Sequence, residues 1–194
     1  MGFQIGHKPA HAGKRTTADP VKNSETVSKI KVFLQHSTRD LALWQLATNS
    51  MLRAGDLCKL KWSDCFYDGE RYTIRVLQGK TKKSTVIELP ATPSAVLLEW
   101  FKQCGSEYVF SGQRGALTVP AWSRMVKEWC RQIGLVGNYS SHTTRKTGAR
   151  VRYDEGGVSL ATLMHCLSHD SERTTLIYLG KMDDQVKQAF NFSV

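Results

Sequence analysis

The chain has 194 residues, and its 41% hydrophobic content is enough to form the core of one large domain or of two small ones. The 27 Lys and Arg residues outnumber the 17 Asp and Glu residues, and the formal net charge of +10 makes a polyanion such as nucleic acid the first partner to consider. No apolar run approaches the roughly 20 residues of a membrane span, and the N-terminus lacks the apolar core of a secretion signal, so the sequence predicts a soluble intracellular protein with no membrane partner.

The N-terminal part begins with a polar arm and continues as two helices. Residues 1–20 are rich in Gly, Lys, His, Thr and Pro without an apolar period, which is typical of a basic, flexible arm that lies along phosphates, or of a plain disordered terminus. From Val21 the apolar residues recur at helical spacing. A first helix is predicted to end near His36, and Thr38 is the expected N-cap of the second.

A hairpin with a basic tip follows these helices. The segment GDLCKLKWSD predicts a short helix and a turn, and the segments RYTIRVLQ and STVIELP have the composition of two β-strands. Between the strands, the turn GKTKK contains Lys80, Lys82 and Lys83. The sequence therefore predicts a small antiparallel sheet with a lysine-rich turn.

The rest of the chain is predicted to be helical. The segment TVPAWSRMVKEWCRQIG has Pro120 in its first turn and Gly134 at its end, an apolar stripe on one side, and three basic residues on another, Arg124, Lys127 and Arg131. Three more helices are predicted in SHTTRKTGARVRYDEG, SLATLMHCLS and SERTTLIYLG, before the short tail MDDQVKQAF. The predicted fold class is mixed α+β, mainly helical, with a small antiparallel sheet.

Two histidines four residues apart raise the question of a metal site. His165 and His169 would share one face of a helix and could bind zinc together with Cys166. The zinc-hydrolase motif needs a Glu directly after the first His, however, and Cys166 occupies that position. The five cysteines are spread along the chain without a CxxC pair. We therefore predict neither a metal nor another cofactor, and we interpret His165 as a packing or hydrogen-bonding residue.

Two arginine motifs indicate phosphate chemistry. His142 and Arg145 are three residues apart and project from one face of a predicted helix, where an imidazole and a guanidinium fork can clamp a phosphate. Arg53 stands at an apolar helix end, where a charge needs a partner or a ligand, and Asp56 is placed to hold it. Each motif alone is equally compatible with an ordinary surface pair or a structural ion pair.

Taken together, the segments RAGDLCKLKWSD, GKTKK, HTTR and LSHDSERTTLIY resemble the ordered motifs of the tyrosine recombinase (phage integrase) family. The resemblance runs from about Asp40 to Tyr178. It implies the tyrosine recombinase catalytic-domain fold in a small one-domain member, with catalytic residues Arg53, Lys80, His142, Arg145, His169 and Tyr178. The chain departs from the usual family residues at Thr144, Lys146 and Ser168, the last of which stands where the family usually has Gly. No separate N-terminal DNA-clamping domain is predicted in these 194 residues.

The resemblance implies a site-specific recombinase that cuts and rejoins DNA strands through a 3′-phosphotyrosine intermediate, in integration, excision or inversion. Two alternatives stay open, a type IB topoisomerase-like nicking-closing enzyme and a catalytically inactive DNA-binding regulator of the same fold. Lys82 and Lys83 are expected to face the DNA backbone or solvent. The basic residues Arg124, Lys127 and Arg131 would face the major groove or its phosphates, unless they belong to an ordinary amphipathic surface helix.

The implied organisation has a catalytic domain at 21–180 and a tail at 181–194. In such a protein the tail docks onto a neighbouring protomer of a homotetramer on double-stranded DNA, whereas packing within its own chain is the alternative. Free in solution, the protein would be a monomer or weak dimer. The implied location is the cytoplasm of a bacterium, in a bacterial or phage-encoded protein associated with the nucleoid.

Overall fold

A computed structural model of the chain describes residues 18–80 and 82–181. Most of the predicted arm and nearly all of the tail lie outside these ranges, so both assignments stay predictions. Within the expected arm, the backbone N–H of Asp19 donates to the carbonyl oxygen of Asn138 at 2.7 Å, and the Asp19 carboxylate accepts from the Asn138 N–H at 2.8 Å. Packing against the rest of the chain therefore begins before Val21.

The N-terminal helices are α1 (Ser24–Leu34), α2 (Thr38–Ser50) and the short α3 (Ala54–Leu57). The predicted N-cap of α2 was wrong by one residue, because the Ser37 hydroxyl accepts the hydrogen bond from the Asp40 N–H at 3.3 Å and Thr38 is already helical. The C-cap of helix α2 is Met51, the residue after Ser50, and its backbone is left-handed with φ of 50°. This turn places Arg53 directly before α3.

The sheet has three antiparallel strands in the order β1 (Cys65–Tyr67), β2 (Tyr72–Leu77) and β3 (Ser84–Glu88). The predicted hairpin is confirmed as β2 and β3, with Ile74 opposite Ile87 and Leu77 opposite Ser84. Strand β1, which follows a 3₁₀ turn at Trp62–Asp64, was missed because three residues are too few to show an alternating pattern.

The remaining elements are α4 (Ala91–Gln103), a two-residue hairpin of β4 (Ser111–Gly112) and β5 (Gly115–Ala116), α5 (Val119–Gln132), α6 (Ser141–Asp154), α7 (Leu160–Cys166) and α8 (Glu172–Leu179). The apolar stripe of α5 faces the core as predicted: Trp122 and Val126 are fully buried, and Trp129 packs edge-on against Trp44 of α2. The mainly helical α+β prediction is confirmed. No helix in the described ranges has the length and apolarity that a membrane crossing requires.

A close crossing of α2 and α6 supports the functional residues. A Cβ built on Gly148 of α6 would lie only 2.0 Å from the carbonyl oxygen of Thr48 in α2, so a larger residue would push the helices apart. A small apolar cluster next to this crossing joins the end of α2 to α6, α7 and α8, and its buried members are Met51, Ala149, Leu163, Leu167 and Leu179. The C-terminal helices are thereby fixed against the end of α2.

Candidate active site

The six sequence-predicted residues come from five places in the fold. Arg53 precedes α3, Lys80 is on the β2–β3 turn, His142 and Arg145 are on the first turns of α6, His169 is in the α7–α8 loop, and Tyr178 is on the last turn of α8. A cleft of about 490 Å³ opens between β3 and α7, and Arg145 and His169 both line it. Electrostatic effects link the other four residues to these two.

The two arginines converge on one carbonyl oxygen. Arg145 is only 5% exposed, and its Nη2 donates to the Leu167 oxygen at 2.6 Å while its Nη1 donates to the Met51 oxygen. Arg53 Nη2 reaches the same Leu167 oxygen at 3.5 Å and the Ser168 oxygen at 3.4 Å. Burial lowers the pKa of Arg145, and the positive charge of Arg53 lowers it further. The pair therefore forms a concentrated positive charge that an anion would stabilise.

Gln78 orients Arg53 and was missed by the sequence analysis. This side chain is 3% exposed, and its Oε1 accepts a hydrogen bond from Arg53 Nη1. Its Nε2 donates to Thr85 Oγ1 at 2.7 Å and to Ser168 Oγ at 3.3 Å. Gln78 thus connects the sheet, the first arginine and the α7–α8 loop through one amide.

Asp56 does not hold Arg53, so that prediction was wrong. Its Oδ1 accepts from the backbone N–H of Gly79 at 2.9 Å, and no salt bridge joins it to Arg53 within the described residues. The carboxylate therefore anchors the residue before Lys80 and fixes the start of the hairpin turn. A short polar side chain at this position can do so because α3 lies beside the end of β2.

His169 is held by a hydrogen bond to α8. Its Nδ1 lies 3.0 Å from Thr175 Oγ1, and that hydroxyl is also within 3.3 Å of the Ser171 carbonyl oxygen. When Thr175 donates to Ser171 and accepts from Nδ1–H, the lone pair of neutral His169 is on Nε2. Partial burial and the charges of Arg145, Arg53 and Lys80 lower the pKa of His169 to about 4, so the imidazole is neutral at pH 7.

The Tyr178 hydroxyl is buried, although part of the residue's surface is exposed. Its oxygen has no hydrogen-bond partner of good geometry among the described residues. Burial raises the pKa of Tyr178 to about 12, against the opposing charges of Arg145 and Arg53. The phenol ring meets the His169 ring edge-on, with centroids 5.1 Å apart. Tyr178 is therefore a protonated phenol whose ring contacts the His169 imidazole and whose pKa is affected by two guanidinium groups.

His142 and the hairpin lysines lie at the rim of the site. His142 is exposed, and its pKa is lowered by partial burial and then by the charges of Arg145 and Lys146. Lys80, Lys82 and Lys83 are all exposed. Lys80 is near enough to lower the pKa of His169, but it is Lys83 that lines the cleft. Lys83 is therefore a second candidate for the role that the sequence analysis gave to Lys80.

The metal alternative finds no ligand set in the part of the chain that the structure describes, because no three His, Cys, Asp or Glu side chains there are grouped to hold an ion. His165 and Cys166 are both exposed at the cleft, so of the two roles expected for His165, packing was wrong and hydrogen bonding stays a prediction. Its exposure follows from its place in the last turn of α7, whose buried face is formed by Leu163.

The basic residues of α5 form a surface away from its buried stripe. Arg124, Lys127 and Arg131 are all exposed. The guanidinium of Arg131 forms a two-point ion pair with Glu128, at 2.9 and 2.6 Å, which neutralises part of its charge. Arg124 instead lines a cavity of about 550 Å³ at the start of α5, where Arg39 and Arg114 are two further cationic residues. Arg124 therefore belongs to a group of three cationic side chains, of which Arg39 is paired with Asp40 at 3.0 Å.

We expect the free protein to lose stability as pH falls from about 6.5 towards about 4. Folded His169 has a pKa of about 4, whereas an unfolded histidine titrates near 6.5, so the unfolded chain binds more protons in this window and the free energy of unfolding decreases as pH falls. Melting temperatures of wild type and His169→Gln at pH 7 and pH 5 test this. The variant should lose less stability between the two pH values, and His36→Gln, on the exposed turn after α1, should behave as wild type. Equal losses in all three proteins would contradict the assignment.

Comparisons with known proteins identify the family and the fold. The sequence model of the "Phage integrase family" matches residues 21–185. A tyrosine recombinase XerC of Corynebacterium glutamicum is 28% identical over 94% of this chain and 58% of its own length. A crystal structure of the XerH site-specific recombinase, in a post-cleavage complex with its palindromic difH substrate, has a TM-score of 0.72 and 21% identity, and covers 91% of this chain and 54% of that chain.

A lambda integrase tetramer bound to a Holliday junction has a TM-score of 0.61 and 24% identity, over 79% of this chain and 49% of that chain. The chain therefore spans only about half of the length of the relatives that it matches. The region in common contains all the elements from α2 to α8 that carry the six site residues.

Proposed function

The chain belongs to the phage integrase family of tyrosine recombinases, and on this premise we propose that it is a site-specific recombinase that cuts and rejoins double-stranded DNA through a 3′-phosphotyrosine intermediate. The observation that carries the proposal is the convergence of Arg53 and Arg145 on the Leu167 carbonyl oxygen, near enough to Tyr178 that both charges lower its pKa. Two guanidinium groups so close together repel each other, and a bound phosphodiester would supply the missing negative charge.

The two arginines would stabilise the charge that develops on the phosphate during cleavage. Tyr178 attacks the phosphorus in line, its oxygen forms the new P–O bond, and the bond to the 5′-oxygen breaks. The lone pair of His169 Nε2 is the basic group beside the phenol, and the negative charge of the bound phosphate raises its pKa, so that it can accept the phenolic proton. The phosphotyrosine bond preserves the energy of the phosphodiester for rejoining to another 5′-hydroxyl.

The test is covalent capture on DNA. The substrates are duplexes with a randomised central sequence and a nick next to the cleavage position. Once such a duplex is cut, the short fragment with the free 5′-hydroxyl dissociates. Because this hydroxyl is needed for rejoining, the protein stays attached to the DNA. Adducts that survive denaturation by SDS, with a 3′-phosphate linked to Tyr178 in peptide mass spectra and with formation unaffected by EDTA, would support the proposal. An inactive DNA-binding regulator would give no adduct. A topoisomerase-like enzyme would give adducts without selecting a sequence and would relax supercoiled plasmid.

We propose that Lys80 protonates the leaving 5′-oxygen, and Lys83 is the competing residue because it lines the cleft. A general acid contributes about 10²–10⁴-fold to such a step. In cleavage assays with a 5′-bridging sulfur, which departs without a proton, we expect Lys80→Ala to regain most of its lost rate. Lys82→Ala and Lys83→Ala should show the same relative rate on both substrates. Rescue of Lys83→Ala instead would move the acid to that residue, and no rescue at all would reduce the lysine to an electrostatic role.

We propose that the basic surface of α5 contacts DNA. Because Arg124 and Lys127 are exposed and unpaired within the described residues, each alanine variant should weaken binding and reduce the slope of log affinity against log salt by about 1. Arg131→Ala should have a smaller effect, since Glu128 already neutralises Arg131. Lys29→Ala, on α1 and paired with Glu25, is the control. A triple α5 variant with wild-type affinity and salt slope would show that this surface faces solvent.

We also propose that the active assembly is a homotetramer on DNA, as in the lambda integrase complex, and that the tail 181–194 docks onto a neighbouring protomer. A chain that ends at Gly180 should then still form adducts on one site but bring two sites together poorly. Native gels of two-site DNA with the full and shortened chains measure this difference. Normal pairing of sites by the shortened chain would favour packing of the tail within its own protomer.

A further inference from the structure

Lys146 lies against the phenol ring of Tyr178. It follows Arg145 on α6, is only 7% exposed, and places its Nζ 5.1 Å from the centre of the Tyr178 ring. The same ring also has the edge-on contact with the His169 imidazole. Lys146 is thus a buried cation that touches the proposed nucleophile and that has no part in the phosphate clamp of Arg53 and Arg145.

The burial of this ammonium group needs compensation. Among residues 18–80 and 82–181, no carboxylate forms a salt bridge with Lys146. Burial lowers the pKa of Lys146, and the more distant charge of Asp19 opposes that effect. The π face of Tyr178 is the group that the structure places against Nζ, and the attraction of a cation to an aromatic face is strongest where water is excluded. The lysine–tyrosine contact therefore couples α6 directly to α8.

We propose that Lys146 is a positioning residue for Tyr178, whose ammonium group holds the phenol ring of α8 beside the arginines of the cleft. This inference rests on the proposed function, because it assigns Lys146 a part in the attack of Tyr178. As the phenol loses its proton, negative charge spreads into the ring and its attraction to the cation increases. The contact therefore favours the attacking form of the nucleophile without touching the phosphate.

Two substitutions separate charge from shape. Lys146→Met keeps the length of the side chain and removes the cation, whereas Lys146→Arg keeps a cation that can stack on an aromatic ring. With nicked duplex at saturating concentration, we expect Lys146→Met to cleave about tenfold more slowly with unchanged DNA affinity, and Lys146→Arg to recover most of that rate. Lys61→Met is the matched control, because Lys61 lies 5.2 Å from the Tyr108 ring outside the cleft. It should cleave as wild type.

A second measurement does not depend on cleavage. The protein labelled with 3-fluorotyrosine at position 178 should show a shifted ¹⁹F resonance in Lys146→Met and an unshifted one in Lys61→Met. If the wild type forms no adduct, the proposed function fails, and this resonance alone decides whether Lys146 holds the ring. Circular dichroism shows whether each variant is folded. If Lys146→Met is misfolded, Lys146→Gln is used as the neutral variant, and we expect the same slower cleavage and the same shifted resonance from it. Wild-type cleavage by the neutral variant, an equal defect in Lys146→Arg, or an unchanged resonance would each overturn the proposal.

Discussion

Tyr178→Phe should bind DNA as tightly as wild type and form no covalent adduct. The substitution removes one oxygen, which has no hydrogen-bond partner of good geometry among the described residues, so the ring contacts with His169 and Lys146 are kept. We expect adduct formation to fall by at least about 10⁴-fold, because loss of a nucleophile removes the chemical step itself. Quantitative SDS gels and electrophoretic binding assays on the same duplex measure the two effects separately.

The same substitution should also preserve or raise thermal stability, because the hydroxyl that it removes is buried and has no hydrogen-bond partner of good geometry among the described residues. Tyr139→Phe provides the control, since its hydroxyl donates to the Val136 carbonyl oxygen at 3.3 Å on the loop before α6. That variant should form adducts at the wild-type rate. Persistent SDS-resistant adducts in Tyr178→Phe would assign the nucleophile to another residue and would refute the proposed mechanism.

Gly148→Ala should destabilise the protein by about 3 kcal/mol or more, because the new methyl group meets the backbone oxygen of Thr48 at 2.0 Å and one helix must move. The same shift separates Arg145 on α6 from the Met51 carbonyl at the end of α2. Adduct formation should therefore decrease even at temperatures where the variant is folded. Urea unfolding measures the free energy change, and the adduct assay at low temperature measures the second effect.

Gly55→Ala is the matched control for this prediction. A Cβ at Gly55 meets no atom within 4 Å, and the residue lies inside α3. Alanine is the better helix former there, so we expect a gain of about 0.5–1 kcal/mol. If Gly148→Ala were as stable as wild type, the α2–α6 crossing would be looser than the structure indicates, and the site would not depend on it.

Much of the fold could be predicted from the sequence, and candidate site residues could be proposed, because each motif is local. His142 and Arg145 are one helical turn apart, and the loop before α8 carries His169 nine residues before Tyr178. The order of these motifs along the chain was sufficient to identify the family resemblance. The longer helices could be predicted from apolar periodicity over ten or more residues, whereas the two- and three-residue strands β1, β4 and β5 are too short for any period to show.

Several of the contacts that the sequence analysis missed or misplaced join distant segments. Gln78 meets Ser168 across 90 positions of sequence, and nothing near Gln78 indicates that contact. Asp56 was paired with Arg53 because they are close in sequence, but the chain turns between them and the carboxylate faces Gly79. The contact of Lys146 with Tyr178 likewise exists only because α6 and α8 pack together.

Two non-glycine residues with left-handed backbones supply carbonyl oxygens to the arginines, Met51 at φ of 50° and Ser168 at φ of 48°. Such conformations cost about 1 kcal/mol or more each relative to glycine. Replacement by glycine would relieve that strain, but at Ser168 it would also remove the hydroxyl that accepts from Gln78. Engineering for heat resistance at these two positions would therefore trade catalytic precision for stability, and thermostable variants of this chain are better sought on its outer helices.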